Sequence, residues 1–393
     1  MSQLGDWLDY VALVTLLLSL THSATAVGGM LVARFLPTFF ASPIAGVAVD
    51  RLDRKRIMVT ADLIRTVLVL GLLFVRRADQ VWLAYAIVAS VVSMTAFFEP
   101  ARTASIANVT APEELITANA LGAITWSVSL AAGAGIGGLL TAIAGARTAF
   151  LLDAASFACS AWLISGIVLP ARERPPVSRV GLPALLGFVD LADGVRYLRR
   201  HPPVAGLVVV KAGWSLAAGG LILLHNIFGE RIYPVWGSAA AGIGVLATTR
   251  GIGTALGPIV ARRLGGETQP AMARAIGFGF LIAGVLYLLF AAAPTLPLAL
   301  MALAVAHMGG STVWVFSTTL LQRNVADSFR GRVFATELAF LTLGFTISNL
   351  AAGWALDTLG IGPRALAGIL GAFAFIPGAA WFALQSRPRF RIT

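Results

Sequence analysis

The chain has 393 residues, of which 58% are hydrophobic and only 12% are charged. With a mean hydropathy of +0.85 it has too few polar side chains to cover soluble domains, so we expect a polytopic membrane protein. Its net charge of +11 would suggest nucleic-acid binding in a soluble protein, but here the arginines cluster in loops, and we expect no nucleic-acid partner. One cysteine and four scattered histidines predict no disulfide, no metal site and no cofactor.

Twelve apolar segments are long enough to cross a bilayer, and helices are the structure that satisfies their backbone there. We number them spans 1 to 12; they cover residues 2–20, 25–49, 57–75, 81–101, 118–144, 148–169, 204–228, 238–261, 271–292, 295–320, 333–357 and 363–385. The predicted fold is therefore all-α, with 12 transmembrane helices. Span 1 barely reaches membrane length, and we expect its helix to be truncated here.

The basic residues are distributed unequally between the two sides of the membrane. Of 29 Lys and Arg residues, 20 lie in or beside the loops that follow even-numbered spans or at the C-terminus, 5 lie in the other loops and 4 lie inside spans. Basic loops stay in the cytoplasm, so both termini are predicted to be cytoplasmic. We expect a multi-pass protein of the bacterial inner membrane.

The longest connection, residues 170–203, separates a six-span domain at 1–169 from a second one at 204–393. Its segment Ala184–Arg200 has apolar residues at helical spacing and favours an amphipathic helix on the inner membrane surface, although a plain solvated linker is the alternative. A weak repeat at an offset of 215 or 216 residues indicates parallel duplicated halves. The matching positions are Arg34 and Arg250, Ser42-Pro43-Ile44 and Gly257-Pro258-Ile259, and Asn108-Val109 and Asn324-Val325.

The short turn between spans 2 and 3 carries a dense charge motif. It reads Gly46-Val-Ala-Val-Asp50-Arg51-Leu-Asp53-Arg54-Lys55-Arg56. This pattern resembles the signature loop of the Major Facilitator Superfamily of secondary transporters, and the twelve spans, two halves and basic central loop fit it. The run from Asn324 to Phe334 is similar to the branch that holds the enterobactin exporter and macrolide efflux proteins.

The resemblance implies two pseudo-symmetric six-helix bundles that export small amphipathic molecules, such as drugs, macrolides or siderophores, by alternating access and proton antiport. It also implies a conformational latch made of Gly46, Asp50, Arg51, Arg54, Lys55 and Arg56. Asp50 would face the N-terminus of span 11 near Arg332, where a helix dipole favours an anion. The expected partners are a small-molecule substrate, protons and membrane lipid, and the expected state is a monomer. A basic cytoplasmic hinge without a latch role is the alternative.

Several charges fall inside spans, where they are costly unless they face a partner or water. The candidates for proton coupling and cavity lining are Asp6, Asp9, Arg34, Glu99 and Arg102. Asp6 and Asp9 lie on one side of span 1, where a carboxylate could carry a proton, unless both sit in the headgroup region. Arg34 requires an acid, and Asp6, Asp9 and Glu99 are the available ones.

A secondary set comprises Asp62, Arg65, Lys211, Arg250 and Glu337. Asp62 and Arg65 are one turn apart and form either an ion pair that eases burial or an extension of the latch. Glu337 could be neutralised by Lys211 or by Arg250. Asp153, alone in span 6, is expected to be a structural partner of Arg147.

The glycines of Ala132–Gly138 are spaced to let helices approach closely. Exporters of the resembled family often carry Gly-Pro at this place, but Ala134 replaces the proline, so the antiporter signature is partial. No zinc-ligand set, G-x-S-x-G elbow or P-loop occurs, so neither an enzyme nor an ATP-driven pump is predicted. A lipid or lysophospholipid translocator and a non-transporting membrane sensor or scaffold remain alternatives.

Overall fold

The computed structural model describes residues 2–110, 115–168 and 188–392. A few side chains inside these ranges, among them those of Gly46, Asp50 and Arg51, lie outside the description. The described part contains fourteen α-helices and three short 3-10 turns, without a β-strand. Twelve spans in it are long and apolar enough to cross a membrane, which confirms the predicted fold class.

The first six spans are single helices that we label α1 to α6. They run over Ser2–Thr21 (α1), Ala24–Arg51 (α2), Arg54–Gly71 (α3), Val81–Val109 (α4), Leu115–Ala144 (α5) and Ala146–Ser165 (α6). The 3-10 turns Leu72–Phe74 and Ala78–Gln80 connect α3 to α4. Pro100 is accommodated inside α4.

The second half starts with a short helix that is not a span. The helices are Phe188–Arg200 (α7), Pro202–Arg231 (α8), Ala239–Gly265 (α9), Gln269–Ala292 (α10), Leu296–Asn324 (α11), Asp327–Asp357 (α12), Pro363–Phe373 (α13) and Phe375–Gln385 (α14). Together α13 and α14 form span 12. The helix breaks between them because Pro377 has no N–H to donate to the carbonyl four residues earlier.

Several helix boundaries differ from the sequence prediction, and three of them bear on the latch residues. Helix α2 continues to Arg51 and α3 starts at Arg54, so the turn has only two residues, and Asp53 caps α3 by accepting a hydrogen bond from Arg56 N at 2.9 Å. Helix α12 begins at Asp327, six residues before the predicted start of span 11. Hydropathy misses this polar first turn. Arg332 therefore lies in the second turn of α12 and not at its N-terminus, as the latch prediction assumed.

The chain forms two compact units. Unit 1 consists of Met1–Phe188 with Pro234–Val245, and unit 2 consists of Val189–Tyr233 with Leu246–Thr393. In unit 1, α1 packs on α5 and α6, α2 packs on α4, and α3 packs on α4 and α6. In unit 2, the main pairs are α10 with α11 and α8 with α12. The domain limits predicted at 1–169, 170–203 and 204–393 remain predictions.

Glycines bring α5 into backbone contact with α1. A Cβ on Gly133 would lie 2.6 Å from the carbonyl oxygen of Leu4, and one on Gly137 would lie 2.7 Å from the Cα of Leu8. Both distances are below any real Cβ contact, so only glycine fits. The close approach fixes α1, which carries the first acidic residues of the candidate site.

Candidate functional site

The acids of α1 lie against an acid of α6. Asp9 and Asp153 are buried, at 8% and 1% exposure, and Asp6 is half-buried. Gly5 makes this approach possible, because a Cβ there would collide with the Asp153 carboxylate and the hydroxyl of Ser156. Asp153 interacts electrostatically with both Asp9 and Asp6. Three carboxylates thus share one buried region of unit 1.

This position of Asp153 corrects the sequence prediction. Asp153 was expected to pair with Arg147, but it accepts a hydrogen bond from the Ser156 hydroxyl at 3.2 Å, and the charges that act on it are Asp9 and Asp6 of α1 and Arg65 of α3. Residues six apart on a helix point to different faces, and the face of Asp153 is the one that packs on α1. The sequence signal that could have found it was an unpartnered aspartate in the middle of an apolar run.

Arg65 of α3 acts on Asp6 and Asp153, and the second cation near these acids is Arg34 of α2. Its charge acts on both Asp6 and Asp9. Its guanidinium carbon lies 5.3 Å from the ring centroids of both Trp7 and Tyr10, which also belong to α1. Cation–π contact of this kind holds a guanidinium without neutralising it. Arg34 therefore remains available to the carboxylates of α1.

A second group of charges lies on α4, next to Asp6. Arg102 pairs with Glu99 at 2.7 Å, both side chains being about one-third exposed. Gln3 of α1 donates a longer hydrogen bond to Glu99, at 3.4 Å, and the charge of Glu99 acts on Asp6. The five predicted coupling and cavity residues (Asp6, Asp9, Arg34, Glu99 and Arg102) thus form one electrostatic group within unit 1.

Asp62 and Arg65 form a fully buried ion pair in α3, at 0% and 2% exposure. The guanidinium of Arg65 lies 4.6 Å from the ring centroid of Phe98 and 4.4 Å from that of Phe157. It also donates to the Thr95 hydroxyl at 3.4 Å. Of the two sequence interpretations, this geometry is that of an ion pair that eases burial, and the charge of Arg65 also reaches Asp6.

In unit 2, the partner of Glu337 is Lys211. Nζ of Lys211 lies 2.7 Å from Oε1 of Glu337 and 2.7 Å from Oγ1 of Thr318. It also lies 4.2 Å from the ring centroid of Trp314. The pair joins α8 to α12, with α11 supplying the other two contacts.

Arg250, the other cation considered for Glu337, lies near a different buried group. His307 Nε2 and the Tyr287 hydroxyl are 3.0 Å apart. The ring of His225 is 5.2 Å from that of His307 and stacks at 5.9 Å on Tyr287. The charge of Arg250 acts on all three. Sequence spacing did not indicate this cluster, because its members come from four different helices.

The latch residues are only partly described. The side chains of Gly46, Asp50 and Arg51 lie outside the described residues, so the contact expected for Asp50 stays a prediction. Of the remaining three, Arg54 and Lys55 are half-buried and Arg56 is exposed. All three occupy the first turn of α3, directly after the Asp53 cap.

Helix α7 packs against the first turns of α12 within unit 2. A Cβ on Gly194 would collide with the Thr336 hydroxyl and with the carbonyl of Arg332. Tyr197 stacks on His201 at 3.9 Å and on Phe329 at 5.0 Å. The amphipathic pattern predicted a helix over residues 184–200 on the inner membrane surface, of which 184–187 lie outside the described residues, whereas Gly194 and Tyr197 lie against α12.

Charge supports the same contact. Asp193 of α7 lies 3.7 Å from the guanidinium of Arg332 and also pairs with Arg196 of its own helix. Arg332 in turn lies 5.2 Å over the ring of Phe329. Arg332, near which the sequence prediction placed the contact of Asp50, is therefore already in contact with α7.

Comparison with known families decides the class of the protein. A profile of the Major Facilitator Superfamily matches residues 1–336. The chain belongs to this superfamily. The match confirms the family resemblance of the turn between α2 and α3, while the enterobactin and macrolide branch remains a prediction.

Relatives of this chain include proteins named as an exporter and as an efflux pump. The chain is 24% identical to the putative bacilysin exporter BacE of Bacillus subtilis over 344 residues, which are 87% of this chain and 83% of the exporter. It is 27% identical to the multidrug efflux pump Tap of Mycolicibacterium fortuitum over 416 residues, covering 98% of this chain and 95% of the pump.

Solved structures share the fold. The transporter PepTSo of the POT family gives a TM-score of 0.73 at 14% identity, covering 99% of this chain and 96% of that chain. The nucleoside transporter NupG gives 0.71 at 14% identity, covering 100% and 98%. As a superfamily member with efflux relatives, the chain is a multi-pass membrane transporter of small molecules and not an enzyme.

Proposed function

We propose that this chain exports small amphipathic organic molecules of the drug, macrolide or siderophore kind across the bacterial inner membrane. It would act as a monomer with both termini in the cytoplasm, by alternating access driven by inward proton flow. The exporter names of BacE and Tap support the direction of transport. The excess of basic residues in one set of loops supports the orientation.

The carboxylate cluster of unit 1 is the observation that supports the proposed proton coupling. Buried Asp9 and Asp153 lie close to half-buried Asp6, and Arg34 is the cation whose charge acts on both acids of α1. Like charges buried together repel, and one carboxylate that takes up a proton relieves the repulsion. Oδ1 of Asp9 is buried without a hydrogen-bond partner among the described residues, so we propose Asp9 as the leading proton carrier.

Arg34 provides the means by which a proton can change the structure. When Asp9 is ionised, it competes with Asp6 for the guanidinium that rests on Trp7 and Tyr10. When Asp9 is protonated, Arg34 interacts with Asp6 alone. Since α1 and α2 meet at this arginine, the proton favours one arrangement of these helices. A coupling ion must bind the two facing states with different affinities, and this exchange supplies the difference.

The latch residues complete the proposal at the other end of α2. Asp50, with Arg51, Arg54, Lys55 and Arg56, would hold the cytoplasmic side shut in one state. The proposed seat lies near Arg332, as the sequence predicted, although α12 already begins at Asp327. Because Arg332 already contacts Asp193 of α7, we propose that the linker helix competes for this seat.

The test is drug and dye susceptibility in an efflux-deficient bacterial host that produces the chain, with and without a protonophore. Wild-type protein should raise resistance to at least one amphipathic compound, and the protonophore should remove it. Asp9→Asn should abolish the resistance, while Asp79→Asn, an exposed acid paired with Arg77, should keep it. Protein that reaches the membrane but confers no resistance to any compound would contradict drug export and favour a lipid translocator or a sensor.

A further inference from the structure

Unit 1 has a groove of about 400 Å³ at the end of α2, α3 and α4 that carries the charge motif. This volume is within the range of about 300–1,000 Å³ typical of small-molecule sites. One stripe of α3 forms its length, and α2 and α4 form its sides. The stripe consists of Asp53, Arg56, Ile57, Thr60, Ala61 and Ile64.

The chemistry of the groove changes along its length. Asp53 and Arg56 stand at the end next to the turn, the Thr60 hydroxyl follows one turn later, and the rest of the lining is apolar down to Ile64. Eleven helical residues span about 16 Å. A charged end, a hydroxyl and an apolar slot follow one another in the order of the phosphate, ester and acyl chain of a phospholipid.

The apolar part is open on the outside and backed by packed core on the inside. Leu52 and Ile64 are 61% and 40% exposed. Behind the slot, Ala61 belongs to a core cluster with Phe98, and Met94 of α4 packs against that cluster. Packed side chains therefore form the inner wall of the slot.

The charge at the mouth selects the kind of headgroup. Arg54, Lys55 and Arg56 occupy the first turn of α3, where the helix dipole disfavours cations and favours an anion. Asp53 is the acid of the lining, and its carboxylate accepts the Arg56 backbone N–H. Asp53 and Arg56 are the charged residues of the lining, and Arg54 and Lys55 of the same turn add two positive charges beside it, on the side that the Lys and Arg distribution predicts to be cytoplasmic.

We propose that this groove binds one anionic phospholipid of the cytoplasmic leaflet, with the phosphate at Arg56 and one acyl chain in the slot beside Thr60 and Ile64. The site does not depend on the proposed function, because it lies in unit 1 alone and its occupancy is measurable without transport. Occupancy would place a lipid phosphate against the first turn of α3, three residues after the motif residue Arg51.

The test measures lipid binding to the purified full chain. Delipidated protein is titrated with phosphatidylglycerol, phosphatidylethanolamine or phosphatidylcholine in detergent, and bound lipid is counted by native mass spectrometry. Inorganic phosphate, tested separately by its effect on thermal unfolding, shows whether the anion alone suffices. Thr60→Trp fills the slot, Arg56→Gln removes the charge at its mouth, and Leu63→Trp is the matched control, since Leu63 is an exposed residue of α3 outside the lining.

We expect one phosphatidylglycerol per chain, bound at least about tenfold more tightly than the other two lipids. Thr60→Trp and Arg56→Gln should each weaken it about tenfold, while Leu63→Trp should bind as the wild type does. Equal binding of the three lipids, stabilisation by inorganic phosphate equal to that by phosphatidylglycerol, or unchanged binding to both Thr60→Trp and Arg56→Gln would overturn the proposal. If Thr60→Trp fails to fold, Arg56→Gln alone decides.

Discussion

Nζ of Lys211 lies 2.7 Å from Oε1 of Glu337, and the two side chains are only 3% and 5% exposed. The pair connects α8 to α12 inside unit 2, and Thr318 and Trp314 of α11 hold the ammonium from other directions. Two charges taken out of water are tolerated because each is the partner of the other. Removing either Lys211 or Glu337 leaves the charge of its partner buried and uncompensated.

Lys211→Met and Glu337→Gln should each lower the stability of the protein, by about 3–5 kcal/mol for a broken buried pair. The double variant should lose much less than the sum of the two, because neither charge remains without a partner. Thermal unfolding in detergent of the four proteins measures both effects. Two single variants as stable as the wild type, or strictly additive losses, would show that the pair does not hold α8 and α12 together.

Arg65→Lys should destabilise unit 1 less than Arg65→Met does. Lysine keeps a positive charge for Asp62 but loses the planar contacts with Phe98 and Phe157, which are worth up to about 2 kcal/mol when desolvated. Methionine leaves Asp62 as a buried charge without its cation. Unfolding temperatures in the order wild type, lysine, methionine are expected, and equal values for the two variants would contradict a role for the rings.

Gly137→Ala should destabilise the contact of α5 with α1, because the new Cβ would meet the backbone of Leu8, which has no side-chain freedom to yield. Overpacking of this kind costs about 1–3 kcal/mol. Gly122→Ala, in the same helix, is the matched control, since nothing lies within 4 Å of its Cβ position. The control should be neutral or slightly stabilising. A loss of stability in both variants would indicate a general sensitivity of α5.

Tyr197→Ala should loosen α7 from α12 without unfolding the bundle. The substitution removes the stacking on His201 and Phe329 and the acceptor for the Ala326 N–H at 3.4 Å. Hydrogen exchange of the α7 amides is expected to speed up, while exchange in the core of α8 stays slow. Arg199→Ala, on the exposed face of α7, should leave exchange unchanged. Unchanged exchange in Tyr197→Ala would show that α7 is held by other contacts.

The twelve spans were predictable because length and hydropathy suffice to identify a membrane helix. The start of α12 was not, because the polar residues 327–332 continue a helix outside the apolar stretch. For the same reason the sequence placed Arg332 at a helix N-terminus when it lies in the second turn. The sequence pattern also predicted α7 as an amphipathic helix, but it placed the helix on the membrane surface, whereas Tyr197 stacks on Phe329 of α12.

The charges of the candidate site and the acids available to Arg34 were predictable from the sequence, but the membership of Asp153 and Arg65 in the same group was not. Asp6, Asp9, Arg34 and Glu99 were chosen because charge inside a span requires a partner. Which partner each one has depends on helix packing, which a single sequence does not encode in any local pattern. Asp153 shows this: its acidic neighbours come from α1, and the small size of Gly5 sets their proximity.

The central claim is that protons drive transport through the carboxylates of unit 1. The most direct measurement is uptake of an identified substrate into proteoliposomes with an imposed pH gradient, for wild type, Asp9→Asn and the control Asp79→Asn. Wild type and control should accumulate substrate in response to the gradient, and Asp9→Asn should lose this accumulation but retain substrate exchange at zero gradient. Wild-type transport that does not depend on the pH gradient would contradict proton coupling. So would accumulation that persists when all four acids are neutralised, in the combined variant Asp9→Asn, Asp6→Asn, Asp153→Asn and Glu99→Gln.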